Sequence, residues 1–281
     1  TDALPGTDAL PGTDALPGTD AVPGTDAVPG TDAVPGTDSA AAATDAAPGT
    51  DAGMVVLALY ACGSQDDNLY TLDPATGGVL SMITMTLSGF TVQNCTGMAT
   101  EPATGALWVV IKDGMMRLLG TVDPTTGVVT LVGAMDDAYA GIAFTDTGTL
   151  YGVTGDGAMT PETLFTIDTA TAMSTFVLTL GAGTDGETVA FNFSDGLLYH
   201  VSGLATHAFE TIDLGSLAIT PATITGDPYS ELLALTFDAS ATAFIGGDLD
   251  TNFFAISPAA AFTMIGTGTG PFKGLAFAPA P

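Results

Sequence analysis

The side chains in this sequence that could do chemistry are mainly carboxylates. Asp and Glu number 31 against only three Lys and Arg, and the formal net charge is −28. Clustered carboxylate and carbonyl oxygens are the ligands that hard cations prefer, so acids gathered in loops indicate a calcium site. The acids that we place in such a site are Asp136, Asp137, Asp185, Glu187 and Asp227. No segment has the spacing of an EF-hand or of a nonapeptide calcium repeat, so a solvated acidic loop surface is the alternative interpretation.

No other set of residues has the spacing of a catalytic or metal-binding motif. His200 and His207 lack metal-ligand spacing, and the sequence contains no GxSxG elbow and no phosphate-binding loop. The single tryptophan, Trp108, is expected in the core. We therefore predict that the protein is not an enzyme and needs no cofactor besides calcium. Acids from distant segments could still meet as the carboxylate pair of a glycoside hydrolase, which keeps a hydrolase or lyase as a third hypothesis.

The charge balance also restricts the partners. Nucleic acids and anionic membranes are bound through basic surfaces, and three basic residues cannot form one. No run of about 18 apolar residues is present, so we expect no membrane span. The hydrophobic fraction of 46% against 12% charged residues predicts that most of the chain buries a core. A surface rich in Thr, Ser, Ala, Gly and Asp predicts an extracellular or cell-surface protein.

Residues 1–53 form a hexapeptide-repeat arm. Three TDALPG units fill residues 1–18 and three TDAVPG units fill residues 19–36, followed by TDSAAAA, TDAAPG and a truncated TDAG. Proline fixes φ and pushes the preceding residue into an extended conformation, and Pro-Gly suits the centre of a type II turn. A helix cannot form through such a repeat, and one Leu or Val per unit cannot bury a core. We predict an extended, acidic, low-complexity arm.

The strict register of the arm suggests that it binds a neighbouring subunit. A flexible linker needs no register, although recent duplication of the coding sequence would also produce one. The predicted assembly contacts are the apolar and proline positions Leu4, Pro5, Leu10, Pro11, Leu16 and Pro17. Threonines close to proline in an exposed segment are candidates for O-glycosylation. The predicted glycosylation sites are Thr1, Thr7, Thr13, Thr19, Thr25 and Thr31.

Residues 54–281 contain a second repeat, of about 45 residues, in which four strand-like segments recur five times. One line of the repeat reads GMATEP at 97–102, GIAFTD at 141–146, TVAFNF at 188–193, LALTFD at 233–238 and GLAFAP at 274–279. Four strands per repeat at this period are typical of propeller blades. The fold class predicted is all-β: a five-bladed β-propeller preceded by the arm. A β-sandwich built from the same segments is the alternative.

The order of the strands predicts how the propeller closes. The chain enters the first blade at a second-type strand and ends on a first-type strand, GLAFA, at 274–278. The last strand is therefore expected to complete the first blade, which removes an open sheet edge. Cys62 ends a second strand and Cys95 is placed in the link to the next blade, so the two are predicted to form a disulfide.

The propeller segment resembles uncharacterised secreted bacterial β-propellers that carry LYxIDxxTG and GxAFxxxGxLYG repeats. The matching pieces are LYTLDPATG at 69–77, GTVDPTTGVVTLVG at 120–133 and GIAFTDTGTLYGV at 141–153. The resemblance covers 54–281 and does not include the arm. It implies a fold and no activity.

Two functions fit these features. The first is a structural subunit of an extracellular filament or surface assembly, in which the arm links neighbouring propellers into a head-to-tail polymer of identical copies. The second is a stalked adhesin or glycan-binding module whose loops bind the ligand. The arm distinguishes them, because it is a bound connector in the first and a flexible stalk in the second.

Overall fold

A computed structural model describes residues 55–155, 157–181, 188–203 and 206–281. The repeat arm lies outside the described residues, as do all the predicted glycosylation and arm contact positions, Asp185 and Glu187. The described residues belong to the unit Gly53–Pro281. No helix among them is long and apolar enough to cross a membrane.

The described chain consists of 22 β-strands. The first eleven are β1 (Leu57–Gly63), β2 (Asn68–Leu72), β3 (Val79–Thr84), β4 (Thr86–Leu87), β5 (Asn94–Thr100), β6 (Leu107–Asp113), β7 (Met116–Val122), β8 (Val128–Ala134), β9 (Tyr139–Phe144), β10 (Leu150–Thr154) and β11 (Thr163–Ile167). The remaining strands are β12 (Ser174–Thr179), β13 (Thr188–Asn192), β14 (Leu197–Ser202), β15 (Ala208–Asp213), β16 (Ala218–Pro221), β17 (Thr225–Gly226), β18 (Leu232–Asp238), β19 (Ala243–Asp248), β20 (Asn252–Ile256), β21 (Ala261–Thr267) and β22 (Phe272–Pro279).

These strands form five small antiparallel sheets, the blades of a β-propeller. From the inner to the outer strand, blade 1 is β22-β1-β2-β3 and blade 2 is β5-β6-β7-β8. Blade 3 is β9 to β12, blade 4 is β13 to β16 and blade 5 is β18 to β21. The predicted fold class is therefore confirmed. Two strands were not predicted: β4 and β17, each two residues long, add in parallel to the outer edges of blades 2 and 5.

The propeller closes as predicted, because the last strand is the inner strand of the first blade. β22 pairs antiparallel with β1 from Leu57↔Pro279 to Gly63↔Phe272. Leu275 in β22 is 1% exposed and packs in the core between blades 1 and 5. Closure removes a sheet edge that would otherwise be open to another chain.

The recurrent Asp at the end of the third strand makes the tight turn that leads to the outer strand in blades 1 to 4. In blade 1 the Asp73 carboxylate accepts a hydrogen bond from the Ala75 N–H at 3.0 Å and another from the Thr76 hydroxyl at 2.8 Å. Asp123 forms the same two bonds in blade 2. Gly77 ends the first of these turns at φ 71°, a left-handed conformation that favours glycine. The DPxTG spacing is thus a turn-forming device.

The core lies between neighbouring blades. Trp108 is 6% exposed and packs edge-on against Phe144 of the next blade, with ring centroids 5.6 Å apart, which confirms its core position. Cys62 and Cys95 are fully buried and form a disulfide with a Cα–Cα distance of 5.8 Å. The pairing was predicted correctly, but Cys95 lies within β5 and not in the link before it. The disulfide therefore joins blade 1 to the inner strand of blade 2.

Candidate functional site

The loops of the propeller separate onto two faces, because successive strands alternate in direction. One face, which we call the arm face, carries the turns from first to second and from third to fourth strands. It also carries the residues that follow the predicted arm, starting at Val55, and the C-terminus at Pro281. The opposite face, called the loop face, carries the remaining links.

An apolar cavity at the inner strands opens on the arm face. Its volume is about 480 Å³, within the range of about 300–1,000 Å³ typical of ligand sites. The inner strands of all five blades line it, together with the first-to-second turns at Pro102, Phe193 and Ala239. Val55 and Leu57 complete its rim.

The sequence repeat explains why this cavity exists. At corresponding positions the inner strands read Met-Ala-Thr, Ile-Ala-Phe, Val-Ala-Phe, Leu-Thr-Phe and Leu-Ala-Phe. The middle residue is small in every blade, and all five line the cavity: Ala99, Ala143, Ala190, Thr236 and Ala276. Small side chains at one level of five converging strands leave space that larger residues would fill. The repeat was predicted from the sequence, but the cavity was not.

The rim of the cavity exposes apolar side chains to solvent. Val55 is 68% exposed, Leu57 is 54% exposed and Phe193 is 48% exposed. Phe193 is held edge-on against Phe191, which is buried in the cavity wall, at a centroid distance of 5.2 Å. Exposed apolar side chains gathered at one concave surface are typical of an interaction site.

The cavity contains little that could do chemistry. Its one described carboxylate, Asp238, accepts hydrogen bonds from the Ser240 N–H at 2.8 Å and the Ser240 hydroxyl at 2.6 Å. Asp238 therefore stabilises its own turn. The described lining contains no histidine, lysine, arginine or cysteine. Such a surface can bind an apolar group, and the polar side chains of its lining are Thr100, Thr236, Asp238 and Ser240.

The three described acids of the predicted calcium site hold loops and strand edges. The Asp137 carboxylate accepts hydrogen bonds from the N–H of Met159 at 2.7 Å and from the Thr160 hydroxyl at 2.8 Å. Burial alone would raise the pKa of Asp137, but these donors and the Ala138 N–H outweigh it and lower the pKa. The bonds from Met159 and Thr160 fix the link between β10 and β11.

Asp136 and Asp227 have similar roles at outer strands. Asp136 accepts a hydrogen bond from the Ser174 hydroxyl at 2.8 Å, at the first residue of β12. Asp227 accepts one from the Met264 N–H at 2.8 Å in β21. Among the described residues no three His, Cys, Asp or Glu side chains are grouped to hold a metal ion. Asp136, Asp137 and Asp227 are thus not brought together in such a group.

The two histidines occupy separate structural positions. His200 is fully buried in β14, with its Nδ1 atom 3.3 Å from the Oε2 atom of Glu210 in β15. His207 stacks on the ring of Tyr229 at a centroid distance of 4.1 Å. Burial raises the pKa of Tyr229 well above its ordinary value. The sequence did not predict Glu210 as the partner of His200, because the pairing depends on the register of two strands.

Comparison with known proteins supports the fold. No family model matches the sequence, and no curated protein matches it. A chain of the nidogen/laminin complex is similar in structure, with a TM-score of 0.56 and 12% identity over 79% of this chain and 98% of that one. A protein of unknown function from Bacteroides caccae has a TM-score of 0.53 and 11% identity, with the same coverage. At such low identity these likenesses show the β-propeller fold and nothing further.

Proposed function

We propose that the protein is a structural subunit of an extracellular filament or surface assembly, in which the repeat arm links neighbouring propellers. One observation carries the proposal. The large cavity of the propeller is apolar and lies on the face where the arm joins. Every complete unit of the arm supplies an apolar residue followed by Pro-Gly, which is the kind of group such a cavity can bury.

The exposed rim supports an assembly in preference to an isolated molecule. Val55, Leu57 and Phe193 leave apolar surface in contact with water, and covering that surface lowers the free energy by about 25 cal/mol per Å². Copies of a chain with a net charge of −28 repel one another. An apolar contact can hold such copies together without pairing opposite charges.

The head-to-tail direction of the contact determines the form of the assembly. An arm from one copy that binds the propeller of another makes a heterologous contact, and such contacts build open chains unless the rotation closes a ring. A head-to-tail polymer follows. The Cys62–Cys95 disulfide supports an extracellular location, because disulfides persist in oxidising compartments.

Electron microscopy and size-exclusion chromatography of the purified full chain test this function. We expect filaments or large assemblies from the full chain, and monomers from a variant that lacks residues 1–49. Addition of a chelator should leave the assemblies intact, since the proposed contact is apolar. Monodisperse monomers of the full chain at every concentration, with and without calcium, would contradict the proposal.

A further inference from the structure

We infer that the apolar cavity of one copy binds the leucine–proline units at the far end of the arm of a second copy. These units are Leu4-Pro5, Leu10-Pro11 and Leu16-Pro17. The inference rests on the proposed function and deepens it, because it names the segment that occupies the site. It assigns to the cavity a peptide ligand of stated chemistry: an extended chain with leucine followed by proline and glycine.

The chemistry of the cavity fits this ligand. Its walls are the Ala, Phe, Leu, Ile and Val side chains of the inner strands, and its volume of about 480 Å³ admits a leucine together with a proline ring. Leu57 and Phe193 add exposed apolar surface at the rim. The residue before a proline is already extended, so little conformational entropy is lost when the unit binds.

A gradient along the arm indicates that the ligand comes from another copy. The apolar residue of the unit is leucine in the first three units and valine in the next three, and alanine precedes the last Pro-Gly at 48–49. The units nearest to the chain's own propeller are therefore the poorest ligands. Leu16 precedes Val55 by 39 residues, a contour of about 130 Å at the extended rise per residue, which is long enough for the leucine units to reach a neighbouring copy.

The arm and the cavity both carry negative charge, which opposes binding. The effect of salt on the affinity therefore tests whether the contact is apolar. Each leucine unit carries one aspartate, and the cavity carries the carboxylate of Asp238. The arm contains no Lys, Arg or His, so it has no cationic side chain that could pair with Asp238. Added salt screens the repulsion between the two acidic partners. Binding should therefore strengthen, not weaken, as ionic strength rises.

The experiment measures binding of a fluorescent peptide, three TDALPG units long, to the full chain. The receptor carries Leu4→Ala, Leu10→Ala and Leu16→Ala, so that its own arm lacks leucine. The matched control peptide has three TDAAPG units. We expect the leucine peptide to bind about 50-fold more tightly. Leucine buries three more carbon atoms than alanine, and this is the affinity ratio expected for burying them. Equal affinity of the two peptides would overturn the inference.

Two further variants locate the site. Phe193→Ser at the rim should weaken binding of the leucine peptide several-fold, whereas Met115→Ser, at a residue that is 97% exposed in the turn between β6 and β7, should not. If Phe193→Ser has no effect, or if Met115→Ser weakens binding as much, the cavity is not the site. Circular dichroism confirms that both variants are folded.

The source of the ligand is tested with the unmodified chain at nanomolar concentration, where copies are apart. If the arm binds a second copy, the unmodified chain and the leucine-free chain bind the peptide equally. If the arm binds its own propeller, the unmodified chain binds more weakly, which would overturn the inference. The full chain could form filaments even though the leucine and alanine peptides bind equally. In that case the proposed function would stand, and the arm would bind at another site.

Discussion

Leu275 holds the last strand in the propeller, and replacing it with alanine is expected to destabilise the whole fold. The side chain is 1% exposed in β22, and its neighbours in the core include Ala61, Ala234 and Phe272. Truncation of a buried leucine costs about 2–5 kcal/mol, through lost burial and the cavity that remains. For a domain of this size 1 kcal/mol shifts Tm by about 2–4 °C, so Leu275→Ala should lower Tm by about 4–20 °C.

The matched control is Leu80→Ala in the outer strand of the same blade. Leu80 is 68% exposed, so the same chemical change should alter the free energy of unfolding by no more than about 0.5 kcal/mol. Urea denaturation followed by circular dichroism measures both. If β22 did not close the propeller, residue 275 would belong to a loose terminus and its truncation would cost as little as that of Leu80. Equal effects of the two variants would refute the closure.

Three further predictions concern the disulfide, one loop and the arm. Replacing Cys62 and Cys95 together with alanine should cost about 2–4 kcal/mol in urea denaturation, since a crosslink over 33 residues restricts the unfolded chain; an unchanged midpoint would contradict this. The pKa of Asp137 is lowered by folding, so its contribution to stability is present above about pH 4 and is lost as the pH falls through the folded pKa. Asp137→Asn should therefore be less stable than the parent at pH 7, with a difference that shrinks in denaturation curves below pH 4; a constant difference would exclude the carboxylate as the cause. If Thr1, Thr7 and their equivalents carry O-linked glycans, intact-mass measurement of native protein should exceed the 27.9 kDa of the polypeptide, and an equal mass would end that prediction.

The blades and their closure could be predicted because their sequence patterns are local and repeated. Each blade repeats the same four segments, and the DPxTG motif predicts the turn from the third to the outer strand in blades 1 and 2. The final GLAFA segment matches the inner strands of the other blades, so its place in blade 1 followed from the order alone. The disulfide followed from the same order, even though Cys95 proved to lie inside β5.

The site could not be predicted because it depends on contacts between distant residues. The cavity forms only when five small residues from separate blades meet at one level, and a single inner strand gives no sign of it. The roles of the described loop-face acids depend on distant partners in the same way. Asp137 bonds to residues 22 and 23 positions away, and Asp136 bonds to Ser174, 38 positions away. The spacing of residues in the sequence cannot distinguish a carboxylate that holds two segments together by hydrogen bonds from one that binds a cation.

Site-directed cross-linking between two copies tests the central claim most directly. Both natural cysteines are in the buried disulfide, so an introduced cysteine is the one free thiol of its chain. Copies carrying Leu16→Cys are mixed with isotopically labelled copies carrying Ala239→Cys, at an exposed position in the cavity lining, and treated with a short bismaleimide. Met115→Cys, in place of Ala239→Cys, is the control. We predict a mixed dimer from the first pair and none above background from the control. No mixed dimer, or equal yields from the two pairs, would contradict the account.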